Sequence, residues 1–240
     1  MSRAIRRSFS KAAVGYRGHA RVQEAMAGWL AEWLPPKIEG PSLEIGAGPG
    51  IFTRYLQLHS DALTATDLSE EMCEAGRQAV PEATWRVMDA SSPEAGPWRW
   101  IFSSSVLQWL EDPQSVFETW RKVMMPGGRI LAGLYAAGSL PELGSLLGKS
   151  QLVWRTSGEW RRVIERAGFR LLRAEEAERR FISESARGFL RELHGVGAAP
   201  ERLLSPPELR RLLDGYDERY GSSGGVRATW RFLRLDAQLD

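Results

Sequence analysis

The sequence has one cysteine, Cys73, and only four lysines among its 32 cationic residues. A single cysteine can form neither an internal disulfide bond nor a metal site built from cysteines alone. Uninterrupted apolar segments of the roughly 20 residues that a transmembrane helix needs are also lacking. The basic segment MSRAIRRSFSKAA at residues 1–13 has no continuous apolar core of the kind found in secretory signals. These absences predict a cytoplasmic protein with no membrane partner.

The net charge is only +2, although nearly all the cations are arginines. A nucleic-acid-binding protein is expected to carry a clustered basic stripe, so this balance argues against a nucleic-acid partner. Guanidinium groups bind carboxylates and phosphates through paired hydrogen bonds, so the arginine excess suits an acidic partner or an anionic substrate. A genomic bias toward arginine codons would produce the same composition. The three histidines are too scattered in sequence to indicate a metal site.

Segments with strand and helix patterns alternate along the first 135 residues. A short apolar run, Leu43 to Ile45, follows an amphipathic helix at 20–34. The pattern then predicts strands at 62–67, 84–89, 100–110 and 129–135, and helices at 68–80 and 112–125, the last ended by Pro126-Gly127-Gly128. Such alternation indicates an α/β fold with an open, mainly parallel sheet and helices on both of its faces.

The pattern changes after residue 135. Most segments between 136 and 225 have helical spacing, and RLLRAEEAERRFI at 170–182 has strand-like ends separated by charge. A last strand is predicted at 228–238. We therefore expect a single domain over residues 1–240. It comprises an N-terminal helical cap at 1–36, an α/β core at 40–135, a helical insertion at 136–225 and the last strand within 226–240.

The segment EIGAGPG at residues 44–50 follows a short strand and precedes a helix. Its glycines let the backbone approach a ligand closely, and the helix start offers unpaired N–H groups. The spacing is G-x-G-x-G, whereas a dinucleotide site needs G-x-G-x-x-G. Glu44 would repel a pyrophosphate but attract the ammonium of a cofactor that carries an amino acid. We therefore predict that Glu44, Gly46, Gly48 and Gly50 bind such a cofactor.

Two more carboxylates follow the second and third predicted strands. Asp67 lies 17 residues after Gly50, where a carboxylate can accept hydrogen bonds from both ribose hydroxyls of a nucleoside. Asp89 is placed to take an adenine amino group. Parallel strands bring their carboxyl ends to one crevice, so these acids are expected to converge on the glycine loop. Taken singly, each could also be a helix cap or a solvated turn residue.

These residues resemble the class I S-adenosylmethionine-dependent methyltransferases over positions 40–135. The resemblance is carried by EIGAGPG, Asp67, MDASS at 88–92, SSSVLQWL at 103–110 and PGGRILAG at 126–133. It implies a Rossmann-like, mainly parallel sheet of seven strands and S-adenosylmethionine as the cofactor. It also implies that Leu68, Met72, Ala90 and Ser104 line the cofactor site.

Three segments outside the core resemble the malonyl-acyl-carrier-protein O-methyltransferases of biotin synthesis. They are SFSKAAVGYRGHARVQ at 8–23, GSLPEL at 138–143 and FLRELHGVGA at 189–198. This resemblance implies methyl transfer to the free carboxylate of a malonyl thioester on an acyl-carrier protein. In that family the N-terminal segment helps to cover the cofactor, so Tyr16 is expected to act as a lid residue over cofactor or acceptor; an aromatic that anchors the N-terminal helix is the alternative.

A malonyl carboxylate is already anionic and needs no general base, in keeping with a sequence that has no obvious His–Asp or Cys–His pair. It does need a cation to orient it, and Arg155 in the predicted insertion is the candidate; a solvated arginine at a helix start is the alternative. Three questions stay open. The thioester could be malonyl-coenzyme A, a small molecule. The chain could methylate a different carboxylic acid or a quinone precursor. It could also bind the cofactor without catalysis.

Overall fold

The computed structural model describes residues 16–147, 154–197 and 204–240. Within them, eight strands form one sheet: β1 (Ser42–Ile45), β2 (Leu63–Asp67), β3 (Thr84–Val87), β4 (Trp98–Ser104), β5 (Met124–Tyr135), β6 (Phe169–Ser183), β7 (Gly221–Ser222) and β8 (Gly225–Leu239). The strand order is β3-β2-β1-β4-β5-β8-β6, and the short β7 pairs with β8. Strands β1 to β5 pair in parallel, whereas β8 runs antiparallel between β5 and β6.

The described helices are α1 (Tyr16–His19), α2 (Arg21–Ala31), α3 (Thr53–Gln57), α4 (Glu70–Ala79), α5 (Pro113–Val123), α6 (Pro141–Leu147), α7 (Ser157–Arg166), α8 (Ala186–Gly195) and α9 (Pro206–Tyr220), with a 3₁₀ turn at Leu107–Trp109. Local sequence explains where several of them begin. The Ser69 hydroxyl accepts a hydrogen bond from Met72 N at 3.2 Å and caps α4. Asp112 caps α5 in the same way, and Pro113 occupies the first turn, where no backbone N–H is needed.

Apolar side chains pack against both faces of the sheet. Because successive residues of a strand point to opposite faces, Ile101 joins one buried cluster while Trp100 and Phe102 join the other. Helices α2, α8 and α9 cover the face of Trp100, and helices α5 and α7 cover the face of Ile101. The expected α/β fold, with a mainly parallel Rossmann-like sheet and helices on both faces, is confirmed. The sheet has eight strands among the described residues and not the expected seven, because the short β7 also pairs with β8.

Two boundaries in the core differ from the sequence prediction. The strand expected at 100–110 ends at Ser104, and Leu107–Trp109 forms a 3₁₀ turn instead. Pro126-Gly127-Gly128 lies inside β5 and does not separate a helix from a strand. The pairing of β4 with β5 shifts register between Trp98 and Trp100. A β-bulge in β5 therefore accommodates Pro126-Gly127-Gly128. The bulge depends on the partner strand, and the sequence of β5 alone does not reveal it.

The segment between 136 and 225, expected as a helical insertion, contains a long strand as well as helices. Residues Phe169–Ser183 form the continuous strand β6, which extends the sheet beyond β8. Its side chains are mostly exposed and charged, so it lacks the apolar alternation that marks a strand in sequence. Ion pairs across to β8 hold this strand in the sheet. For example, Glu175 Oε2 lies 2.7 Å from Arg234 Nη2. Charged side chains are common on edge strands because they discourage pairing with other chains.

Candidate active site

The glycine loop between β1 and α3 adopts a conformation that side chains disfavour. The φ angles of Gly46, Gly48 and Gly50 are 71°, 55° and 85°, all in the left-handed region. A Cβ on Gly46 would lie 2.2 Å from Val106 Cγ2, so this glycine allows the loop to pack against the end of β4. A Cβ on Gly48 would meet no atom within 4 Å, and Gly48 lines an open cavity. The loop thus leaves space for a ligand at Gly48.

Glu44 is the second-last residue of β1 and is only 1% exposed. Its Oε2 atom accepts a hydrogen bond from the Thr53 hydroxyl at 2.6 Å, which orients the carboxyl group at the cavity wall. Burial raises the pKa of Glu44 from 4.5 to about 8, and the nearby charge of Asp67 adds to the rise against the opposing Thr53 bond. A cation placed beside Glu44 would lower this raised pKa, because it favours the ionised carboxylate.

Asp67 ends β2 and is tied to the neighbouring backbone through both oxygens. Gly48 N donates to Oδ2 at 2.9 Å, and Ser69 N donates to Oδ1 at 3.0 Å. Burial raises the pKa of Asp67, while these backbone hydrogen bonds oppose the rise. An ionised carboxylate has further lone pairs for ligand hydroxyls, and Asp67 lines the cavity next to Leu68.

The first cavity lies at the carboxyl ends of β1, β2 and β4 and encloses about 830 Å³, including its open mouth. Most residues predicted for the site line it: Tyr16, Glu44, Gly46, Gly48, Asp67, Leu68, Met72, Ala90 and Ser104. The structure therefore brings these sequence-distant positions together.

Two predicted cofactor residues are placed differently. A Cβ on Gly50 would face Val80 and Trp85 at 3.3 and 3.5 Å, so Gly50 serves the packing beneath the loop. Asp89 Oδ1 accepts hydrogen bonds from the backbone N–H and the hydroxyl of Ser91, at 2.8 and 2.6 Å. Its neighbours Met88 and Ala90 line the first cavity, whereas Asp89 is not among the described lining residues.

A second cavity of about 340 Å³ adjoins the first. The two cavities share Tyr16, Gln23, Ser105 and Trp109 in their walls. Burial raises the pKa of the Tyr16 hydroxyl, and the negative charge of Asp67 raises it further. The hydroxyl therefore stays protonated at neutral pH and can donate a hydrogen bond toward either cavity.

Aromatic side chains form the inner wall of the second cavity. The ring of Trp230 lies 4.7 Å from Tyr135 and 5.8 Å from Trp154, measured between centroids. The Tyr135 hydroxyl forms a hydrogen bond of 3.0 Å with the hydroxyl of Ser105. The backbone φ angle of Ser105 is 63°. Burial raises the pKa of Tyr135, so this hydroxyl also stays neutral. Sequence reasoning missed Ser105, Tyr135 and Trp230, because no local motif distinguishes wall residues from core residues.

Arg155 lies beside the 3₁₀ turn and outside both cavities. Its guanidinium donates to the carbonyl oxygens of Leu110 and Glu111, at 3.3 and 3.0 Å, and stacks over the ring of Trp160 at 5.6 Å. Among the described residues that line the two cavities, Arg155 is not found. The structure thus places this cation against the backbone that follows Trp109.

Comparisons with known proteins agree with this architecture. The sequence model of the family described as "Methyltransferase domain" matches residues 43–132. The chain is 26% identical to a malonyl-[acyl-carrier protein] O-methyltransferase of Paenibacillus sp. (strain JDR-2), covering 98% of each chain. It is 28% identical to the protein of that name from Chlorobium luteolum, covering 94% of this chain and 91% of that one.

A longer relative is the biotin biosynthesis bifunctional protein BioHC of Cellvibrio japonicus. It is 31% identical over 81% of this chain, and the match spans 40% of the longer protein. Among solved structures, Bacillus subtilis YcgJ superposes with a TM-score of 0.64 at 12% identity, covering 90% of this chain and 98% of that one. Haemonchus contortus phosphoethanolamine N-methyltransferase 2, in complex with S-adenosyl-L-methionine, gives 0.59 at 18% identity, covering 94% and 56%. At these sequence identities the superpositions support the fold alone.

Within the described residues, no helix combines the length and the apolar composition that crossing a membrane requires.

Proposed function

We propose that this chain, a class I S-adenosylmethionine-dependent methyltransferase, methylates the free carboxylate of a malonyl thioester on an acyl-carrier protein. The product would be the malonyl methyl ester, formed at an early step of biotin synthesis in the cytoplasm. Relatives with that name match the chain over nearly its whole length, which supports the proposal. The observation on which it rests is that the first cavity and the smaller aromatic cavity share lining residues and so lie side by side. A methyl donor and its acceptor must be held next to each other in this way.

The first cavity fits S-adenosylmethionine in shape and charge. A Cβ at Gly48 would project into open space at the cavity wall, and the carboxyl groups of the buried Glu44 and the half-buried Asp67 would offer complementary charge once ionised. Glu44 would hold the ammonium group, and Asp67 would accept the ribose hydroxyls. Leu68, Met72 and Ala90 would line the adenine. When bound, the cofactor supplies an electrophilic methyl group on a positively charged sulfur.

The second cavity would hold the acceptor. A malonyl carboxylate needs no deprotonation, so the chain has to orient it and exclude water. The hydroxyls of Tyr16 and Tyr135 keep their protons and can donate hydrogen bonds to acceptor oxygens. The aromatic wall limits hydration of the carboxylate, which leaves it a stronger nucleophile than in water. Tyr16 would then act as the lid residue between the two substrates.

We assign Arg155 a positioning role. Its hydrogen bonds hold the carbonyl groups of Leu110 and Glu111, directly after Trp109, which lines both cavities. It would therefore keep Trp109 in place and would not clamp the carboxylate.

An acidic carrier protein would dock near helices α8 and α9. Exposed arginines on these helices are Arg187, Arg191, Arg210, Arg211 and Arg219. Opposite charges on the two surfaces would steer the encounter and speed association.

The test is mass detection of the methyl ester after incubating the chain with S-adenosylmethionine and malonyl-acyl-carrier protein. Acetyl-carrier protein lacks the nucleophile and should give no product. Succinyl-carrier protein places the carboxylate one methylene farther out and should react on the order of 100-fold more slowly. Rescue of a biotin auxotroph that lacks this step provides an independent check. Methylation of a phenolic or quinone acceptor, with no malonyl ester formed, would refute the proposal.

A further inference from the structure

Four buried side-chain atoms have no hydrogen-bond partner in the part of the chain that the structure describes. They are Gln23 Oε1, Gln108 Oε1, Trp160 Nε1 and Trp230 Nε1. All except the indole nitrogen of Trp160 belong to residues that line the second cavity. Leaving a buried polar atom unpaired costs free energy. The presence of three such atoms at one cavity therefore points to a ligand that supplies their hydrogen-bond partners.

Gln108 presents a fixed acceptor. Its Nε2 atom donates to the carbonyl oxygen of Ser105 at 2.7 Å, which determines the orientation of the amide. The carbonyl oxygen of the side chain is therefore the unpaired atom, and only a donor can satisfy it. The side chain is 8% exposed and belongs to the 3₁₀ turn whose neighbour Trp109 also lines the cavity.

Trp230 presents a fixed donor. Its indole N–H can donate but not accept, and the residue is 3% exposed. Packing against Tyr135 and Trp154 restricts the ring from both sides. A ligand in this cavity therefore meets one donor, Trp230 Nε1, and the unpaired acceptors Gln108 Oε1 and Gln23 Oε1, beside the hydroxyls of Tyr16, Ser105 and Tyr135.

A third cavity of about 330 Å³ continues from the second and shares Gln23, Leu193, Val196 and Trp230 with it. It is bordered by His19 of α1 and by Glu192 of α8. The three cavities thus adjoin one another, and the second shares wall residues with both the cofactor cavity and the third cavity. This arrangement suits a reactive group carried on a long arm.

We propose that the second cavity binds an acyl thioester whose arm contains a secondary amide. Trp230 Nε1 donates to an oxygen of the acyl group, and Gln108 Oε1 accepts the amide N–H of the arm, which enters through the third cavity. This assignment rests on the proposed function and names the groups that distinguish an amide-bearing thioester from a free dicarboxylic acid.

The experiment measures equilibrium binding, by calorimetry, of two probes to the complex of the chain with S-adenosylhomocysteine. The probes are malonyl-N-acetylcysteamine and its N-methyl amide, which lacks the N–H. In the unmodified chain we expect N-methylation to weaken binding roughly 3- to 10-fold, the range for losing one hydrogen bond. In Gln108→Met the two probes should bind equally, whatever the overall loss. A merely structural role of Gln108 would leave the ratio between the probes unchanged.

Trp160 offers a matched control for Trp230, because its indole nitrogen is also buried and unpaired but lies in the other core cluster, and phenylalanine at this position keeps an aromatic ring beneath the Arg155 guanidinium. Trp230→Phe should weaken binding of malonyl-N-acetylcysteamine roughly 3- to 10-fold. Trp160→Phe should leave it unchanged, and both variants should keep their affinity for S-adenosylhomocysteine.

The outcomes separate this inference from the proposed function. Equal binding of the two probes to the unmodified chain, binding of neither, or full affinity in Trp230→Phe overturns the inference even if the methyl ester forms. Discrimination between the probes without ester formation supports the amide site and refutes the reaction.

Discussion

Gly48 N donates to Asp67 Oδ2 over 2.9 Å and joins the glycine loop to the end of β2. The loop that leaves space for the cofactor is therefore held in shape by the side chain that we assign to its ribose. Since Ser69 N occupies the other oxygen, Asp67 combines a structural and a binding role. A substitution of Asp67 therefore removes the hydrogen bond to the loop together with the proposed ribose contact.

Asp67→Ala should weaken binding of S-adenosylhomocysteine by about 1–3 kcal/mol, the range for hydrogen bonds to a charged acceptor. Calorimetry measures the change. Asp61→Ala is the matched control, because the Asp61 side chain is 90% exposed and makes only a surface ion pair with Lys37. The control should bind normally. Unchanged affinity in Asp67→Ala would remove Asp67 from the ribose site.

Ligand binding should depend on pH through Glu44. Its pKa is about 8 in the free protein, so most molecules carry a protonated Glu44 below that pH. If the ammonium of the ligand requires the ionised form, affinity should rise as pH increases, by nearly tenfold per unit well below pH 8, and level off above it. Glu44→Gln should bind more weakly and lose this rise, while titration of the ligand itself remains. Calorimetry from pH 6 to 9 tests this, and identical pH profiles would contradict it.

The same raised pKa predicts how stability without ligand depends on pH. Because the folded protein binds this proton more tightly than the unfolded chain, the contribution of Glu44 favours folding most below pH 4.5 and is lost as pH rises toward about 8. Glu44→Gln should therefore gain stability relative to the unmodified chain as pH increases through this interval. Urea unfolding at several pH values measures the difference; a constant difference would show that Glu44 keeps an ordinary pKa.

Gly48→Ala should abolish most cofactor binding without unfolding the protein. The substitution places a methyl group in the cavity and adds about 1–2 kcal/mol of backbone strain. Gly127→Ala carries comparable strain, since its φ is 69°, but its Cβ would meet the Arg99 guanidinium at 3.3 Å and the Gln238 amide nitrogen at 3.8 Å. Both variants should lose similar stability in urea unfolding. If S-adenosylhomocysteine binds Gly48→Ala as tightly as Gly127→Ala, the loop does not contact the cofactor.

Arg155→Ala should lower turnover of malonyl-carrier protein roughly tenfold by releasing the two carbonyl groups after Trp109. Binding of malonyl and propionyl thioesters should weaken by the same factor, because a positioning residue does not sense acceptor charge. Arg155→Lys should recover part of the activity, since one ammonium cannot replace the guanidinium fork. A loss confined to the malonyl thioester would instead identify Arg155 as the carboxylate clamp.

Association with the acyl-carrier protein should slow at least tenfold between low and high salt, because exposed charges are screened within about 8 Å at physiological ionic strength. Combining Arg187→Gln with Arg210→Gln should lower the low-salt rate and flatten its salt dependence in stopped-flow measurements. Arg162→Gln is the control, because this exposed arginine lies on α7, which packs on the opposite face of the sheet. A rate independent of salt would argue for a small free substrate.

Local sequence was enough to predict the α/β core and most of the cofactor cavity. The glycine spacing in EIGAGPG, the strand-end acid Asp67 and the capping residue Ser69 act within a few residues of where they stand. Parallel strands bring their carboxyl ends together as a matter of topology, so side chains at those ends meet even when far apart in sequence. The same rule predicts Asp89 beside the ligand; its carboxylate accepts hydrogen bonds from Ser91 and is not among the described residues that line the cavity, so its adenine contact stays a prediction.

The acceptor side was decided by tertiary structure. Strand β6 forms because β8 supplies its hydrogen bonds and ion pairs, although its own pattern is charged and irregular. Trp230 and Gln108 face one cavity only because β8 and the 3₁₀ turn meet there, and Arg155 is drawn to nearby carbonyl groups. Spacing along one chain segment determines a loop that binds a cofactor. A cavity built from five or more distant segments depends on how they pack, and that information is not local in the sequence.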